Sequence, residues 1–189
     1  LLTKCSEHLS LLAAPSLLDR AYDFDRGSFL PVIEVLQRSA PVAVLDLPHA
    51  WSDWTRAVLG EADEIVITAT PDLASLRNTK NMIDALKKLR PNDRSPHLIL
   101  NQVGLPKRPE IAPSDFIEPL EIEPIAIIPF DAPLFGNAAN SGRMISEMDS
   151  KSPTAETFSQ IAHVITGRST AKKNKKGGLG KVLGLLGRK

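Results

Sequence analysis

Three polar residues in this chain of 189 stand where an apolar, β-branched run gives out: Asp46 after Val42-Ala43-Val44-Leu45, Asn101 after Leu98-Ile99-Leu100, and Asp131 after Ile127-Ile128-Pro129-Phe130. An aspartate in the first position, followed by Leu47-Pro48, is placed to hold magnesium, directly or through water; the same residue also suits a turn or a helix cap. Asn101 carries an amide that both donates and accepts, which matches a purine edge and equally satisfies loop backbone. Pro129 and Asp131 by themselves read as a turn out of a strand. A fourth run, Ile65-Val66-Ile67-Thr68, leads into Thr70-Pro71-Asp72 and signals strand followed by helix.

These residues need a scaffold that brings strand ends together. The apolar runs predict buried strands over 42–47, 65–70, 98–103 and 125–128, with 9–14 as a fifth candidate. Helical spacing between them is clearest over 72–90, where Leu73, Leu76, Ile83, Leu86 and Leu89 share one face and Lys80, Lys87 and Lys88 the other. Thr70 is placed to cap that helix and Pro71 to open it. Further helices are predicted over 29–38, 51–59, 114–120 and 154–166. Near-continuous apolar strands alternating with amphipathic helices define the α/β class: a mostly parallel sheet with helices on both faces. In such open sheets ligands bind beyond the carboxyl ends of the strands, which is where Asp46, Asn101 and Asp131 fall.

Composition excludes several other classes. A hydrophobic fraction of 42% with 24% charged residues suits a globular fold, and a single cysteine, Cys5, permits neither an intrachain disulfide nor a multi-cysteine zinc site. The four histidines lack zinc-finger or HExxH spacing. The chain begins at Leu1 and enters an apolar run almost at once, which reads as the start of a fragment. The net charge of +1 hides a split: residues 1–167 carry about −7, and residues 168–189 carry about +8 with no acid among them. Residues 1–167 are therefore expected to form the folded domain and 168–189 a basic, flexible tail.

Taken in order, Asp46-x-Pro48, the strand into Thr70-Pro71-Asp72, the strand into Asn101, and Ile128-Pro129-x-Asp131 resemble the MinD/ParA family of deviant-Walker ATPases from the second half of their P-loop NTPase fold onward. The stretch Asn137-Ala138-Ala139-Asn140-Ser141-Gly142-Arg143 is similar to the closing region of that family. Leu45-Asp46-Leu47-Pro48-His49 and Leu100-Asn101-Gln102-Val103-Gly104 look like the CpaE/TadZ branch, the pilus-assembly members. The resemblance implies that Asp46 is the catalytic, magnesium-associated Walker B aspartate, that Asn101 lies against adenine, and that Pro129 and Asp131 flank the base. It implies ATP and Mg2+ as cofactors of a full-length parent that dimerises around nucleotide and works with the pilus assembly machinery. The place implied is the cytoplasm, peripheral at the inner face of the cell membrane and polar.

The family's phosphate loop does not precede residue 9, so this polypeptide is expected to be inactive alone; the degeneracy of CpaE-like members implies a full-length parent that is either a weak ATPase or only a nucleotide-dependent scaffold. Lys176-Gly177-Gly178-Leu179-Gly180-Lys181-Val182 imitates such a loop, but no strand precedes it and Val182 replaces the magnesium-binding Ser or Thr. On a helix, Leu179, Val182, Leu183 and Leu186 form an apolar stripe behind Lys172, Lys173, Lys175 and Lys176. That pattern suits docking on an anionic membrane surface, with nucleic acid ranking behind it. Two other readings stay open: a ParA-like DNA-segregation ATPase, and a nucleotide-free adaptor.

Overall fold

The computed structural model describes residues 2–13, 27–48 and 50–168. Contacts divide the chain between Ala62 and Asp63 into two compact units.

In the first unit, β1 (Thr3–Lys4) and β2 (Ser10–Leu11) form a short antiparallel pair, Thr3 opposite Leu11 and Lys4 opposite Ser10. Among the described residues of the fifth candidate strand, over 9–14, only Ser10 and Leu11 are in a ladder, and the pairing is antiparallel. Helix α1 (Leu30–Ser39) starts with Pro31 in its first turn, yet none of its residues is buried. Helix α2 (Asp53–Glu61) is capped by Ser52, whose Oγ accepts from the Thr55 backbone N–H at 3.3 Å. Trp54 on this helix stacks on Phe29 with ring centroids 4.8 Å apart, so it packs as an aromatic pair, while Trp51 stays exposed.

The strand expected over 42–47 is not formed. The stretch has no regular secondary structure, and Val44 is 90% exposed, with Val42 and Leu45 exposed beside it. β-Branched residues favour strands because they pack on a pleated, half-buried surface, and that preference needs a paired neighbour to act on. No described strand forms a ladder with this segment.

The second unit carries a parallel sheet in the order β3 (Val66–Ala69), β4 (His97–Val103), β5 (Pro124–Pro129). Val66 to Ala69 pair with His97 to Leu100, and Leu98 and Leu100 pair with Pro124 and Ile127. Helix α3 (Leu73–Leu89) makes the first crossover. Its cap is Asp72 rather than Thr70: the Asp72 Oδ1 accepts from the Ser75 N–H at 2.8 Å, while the Thr70 hydroxyl donates to Asp72 Oδ2 at 2.5 Å. Carboxylate beats hydroxyl here because a charged acceptor at a helix N-terminus also meets the dipole. The second crossover is short: α4 (Pro113–Ile117) running into a 3-10 turn, Glu118–Leu120.

Central strand β4 is covered on both faces by alternation. Leu98 and Leu100 pack with Ala69, Ile83 of α3, Phe116 and Leu120. Ile99, pointing the other way, packs with Ile128 of β5 and Ile161 of α7 (Pro153–Ile165). Two further helices follow β5: α5 (Ala132–Asn140), capped by Asp131, and α6 (Ile145–Met148). Neither was expected from apolar periodicity. The signal for α5 is Asp131-Ala132-Pro133, a cap residue followed by proline in the first turn. Ala138, Ile145 and Ala155 bury α5, α6 and α7 against one another. The α/β class with helices on both faces of a parallel sheet is the observed architecture.

Candidate functional site: a cleft at the carboxyl edge of the sheet

Asn101, Pro129 and Asp131 line one open cleft of about 200 Å3, together with Gln102, Phe130, Ala132, Phe135 and Gly136. Its position follows from the sheet. β4 and β5 run parallel, so both deliver their carboxyl ends to one edge, and α5 begins there. The Phe130 N–H donates to the Val103 carbonyl at 2.8 Å, holding the two strand ends together beyond the last regular pairing.

The wall on the β4 side is irregular. Register shifts between Leu100 and Val103, and Gln102 adopts φ 56°, a left-handed conformation uncommon for a residue with a Cβ. Asn101 Oδ1 accepts from the Gln102 N–H at 2.9 Å. That bond uses the amide's oxygen, so the NH2 end remains as the donor for a ligand acceptor such as a purine ring nitrogen. On the β5 side, Asp131 Oδ1 accepts from the Leu134 N–H at 2.9 Å and caps α5. Asp131 therefore shapes the cleft by fixing the helix that carries Phe135 and Gly136.

The cleft's dimensions and chemistry limit what it can hold. Small-molecule pockets commonly span about 300–1,000 Å3, so this one suits a single ring system rather than a whole nucleoside triphosphate. Two phenyl rings, Phe130 and Phe135, supply apolar surface, and among the described residues Asp131 is the one charged member of the lining. Among the described residues no Lys or Arg lines the cleft to meet a phosphate. These residues fit a nucleobase and do not by themselves fit its phosphates.

Behind the cleft, the turn after β4 is tied by an acid and a base. Glu110 accepts from the backbone N–H groups of Gly104 (2.9 Å) and Leu105 (3.0 Å) and from Arg108 Nη2 (3.0 Å). The Gly104 N–H, followed by the Arg108 guanidinium and the Leu105 N–H, holds the Glu110 carboxyl below the ordinary glutamate range against the opposing effect of burial. Asp72 is likewise depressed, first by the Thr70 hydroxyl, then by the Ser75 N–H and the charge of Arg108.

The other sequence-selected residues are elsewhere. Asp46 lies in the first unit, exposed in the unpaired stretch. Among the described residues no group of three or more His, Cys, Asp or Glu side chains is placed to hold a metal ion. One exposed carboxylate suits magnesium only where waters and a phosphate complete the shell. Leu179, Val182, Leu183, Leu186 and Lys172, Lys173, Lys175 and Lys176 lie outside the described residues, and among those described no helix is long and apolar enough to cross a membrane. Sequence reasoning missed Phe130, Phe135 and Gly136, which belong to the unexpected helix α5 and its entry, and the Arg108–Glu110 pair, whose only signal is an Arg-Pro-Glu triplet after a Gly-Leu-Pro turn.

The fold is that of the ParA and MinD ATPases. The chain is similar to a ParA family ATPase from Chlorobium tepidum, with a TM-score of 0.74 and 20% identity over 85% of this chain and 66% of that one. It is also similar to MinD in the Aquifex aeolicus MinC:MinD cell division complex (TM-score 0.63, 21% identity, 79% of this chain and 62% of that one). A third similar structure is the septum site-determining MinD from Pyrococcus horikoshii, solved with Mg-ADP (TM-score 0.62, 21% identity, 75% of this chain and 56% of that one). The chain thus spans about two-thirds or less of the length of these proteins. No protein-family model matches the sequence, and no curated protein sequence does.

Proposed function

We propose that this chain is the base-holding part of a nucleotide-dependent switch of the ParA/MinD kind, acting in pilus assembly or polar positioning at the membrane. The observation that carries the reading is the convergence of Asn101, Pro129 and Asp131 on one nucleobase-sized cleft at the carboxyl edge of a parallel sheet. In this reading the Asn101 NH2 group orients the base, Phe130 and Phe135 exclude water from its faces, and Asp131 holds α5 in place as the opposing wall. Mg-ATP, when bound, supplies the phosphate chemistry on which such switches run, and Asp46 is proposed for magnesium on its resemblance to a Walker B aspartate alone. Among the described residues none that lines the cleft is a phosphate-binding cation, so the reading places affinity of the described cleft on the base. The MinD with Mg-ADP and the MinC:MinD complex support nucleotide and partner binding as properties of similar proteins.

The pilus role rests on the CpaE/TadZ-like residues around Asp46 and Asn101, and membrane attachment on the apolar stripe and lysines of 172–186. The ParA-like reading of the sequence and the eight cations of 168–189 keep DNA as the competing partner of the basic tail. Titration of the chain with adenosine, with Asn101→Ala as control, tests the base site. Co-sedimentation with anionic vesicles against binding to duplex DNA, before and after deletion of 172–189, tests the tail. Adenosine binding lost in Asn101→Ala and tail-dependent vesicle binding are expected; a chain that binds DNA and ignores vesicles would support the segregation reading instead.

A further inference from the structure

The left-handed Gln102 is an expensive feature to place beside a ligand cleft. A non-glycine residue in that region costs on the order of 1 kcal/mol and persists where the surroundings over-determine it. Lys107 (φ 64°) and Gly104 (φ 84°) turn the following loop through the same region. Arg108 and Glu110 hold this backbone. Arg108 Nη2 donates to the Gln102 carbonyl at 2.9 Å and to Glu110 Oε1 at 3.0 Å. The other Glu110 oxygen accepts from Gly104, and Oε1 also accepts from Leu105. The far end of the loop is anchored where the Ile111 N–H donates to the Pro71 carbonyl at 2.9 Å, at the foot of α3. Arg108 is three-quarters buried, and its Nε is buried without a hydrogen-bond partner. A guanidinium that gives up solvent on one nitrogen to keep another on a backbone carbonyl is serving the backbone's conformation.

We infer that Arg108 and Glu110 are positioning residues for the base cleft. Through the Gln102 carbonyl they fix the left-handed turn, the turn presents the Gln102 N–H to Asn101 Oδ1, and that bond leaves the Asn101 NH2 end facing a ligand. The cleft is thereby set to recognise a ring with an acceptor nitrogen. Neither residue lines the cleft, so their effect on a ligand passes through Gln102 and Asn101. The binding consequence rests on the base-site reading above; the conformational claim does not.

The test uses the full 189-residue chain, with adenosine as probe and amide NMR as readout. In Arg108→Ala and Glu110→Gln, the Asn101 side-chain NH2 and the Gln102 backbone resonances should move, exchange of the Gly104 and Leu105 amides should quicken, and adenosine should bind about tenfold more weakly. Arg108→Lys, which keeps a charged donor, should recover part of the affinity, a rescue that a purely packing role would not give. Glu110→Gln is close to isosteric and serves if Arg108→Ala does not fold. Unmoved Asn101 and Gln102 resonances would overturn the inference whatever adenosine does, as would unchanged adenosine affinity in a variant of a chain that does bind it. If the wild-type chain binds no adenosine while those resonances still move, the base-site reading fails and the positioning assignment stands.

Discussion

Residues 42–46 and 98–101 are built alike, four or three β-branched and aliphatic residues ending in a short polar side chain, and they meet opposite fates. Leu98, Ile99 and Leu100 are buried in the central strand of a sheet, and Asn101 is delivered to a cleft. Val42, Val44 and Leu45 stand in solvent, and Asp46 with them. The difference lies in the neighbours: β4 has a parallel strand on each side and helices above and below, while 42–46 has no ladder partner among the described residues. An apolar run is a request for burial, and the rest of the chain decides whether it is met.

The largest test of that contrast is deletion of matched side chains. Phe116→Ala empties a fully buried position against Leu98 and Leu100 and should cost about 3–5 kcal/mol, whereas Val44→Ala should change stability by less than about 0.5 kcal/mol. Denaturant unfolding monitored by circular dichroism measures both. An equal loss in the two variants would mean that 42–46 is packed in solution and that the contrast is wrong.

A smaller effect separates the two strand-end aspartates of the second unit. Asp72→Ala removes the cap of the 17-residue α3 and should cost about 1 kcal/mol, and Asp131→Ala should cost a similar amount through α5. Only Asp131→Ala should also lower affinity for adenosine, because α5 carries a wall of the cleft. Equal adenosine binding by both variants would remove Asp131 from the site's support.

The smallest expected effect is on pH. Asp72 and Glu110 have folded pKa values below their unfolded ones, so the stability they confer is fully present above the ordinary carboxylate range and is lost as pH falls through their depressed folded values. In Glu110→Gln the acid side of the stability profile should flatten. Unchanged slopes in that variant would show that Glu110 is not held as the hydrogen bonds indicate.

How much of this was legible in the sequence divides along the same line. Of the four strands expected from apolar runs three form, and α3 forms with them, because periodicity and apolar runs report what a segment offers. Segment 42–47 does not behave as read, because ladder formation depends on a partner that periodicity cannot see. Asn101, Pro129 and Asp131 could be selected because strand ends in a parallel sheet converge by topology. The Arg108–Glu110 tie could not, since it depends on a left-handed residue, Gln102, that carries no glycine to mark it. Asp72 replaced Thr70 as the cap for a local reason, the stronger acceptor, that the sequence offered two residues later.

The most direct measurement is a chemical-shift map of adenosine binding to the isotope-labelled chain. Shifts confined to Asn101, Gln102, Phe130, Phe135 and Gly136, saturating with one affinity and abolished in Asn101→Ala, are the result predicted for a base-holding cleft. Saturable binding that leaves those residues unmoved, or no binding at millimolar adenosine, would contradict it.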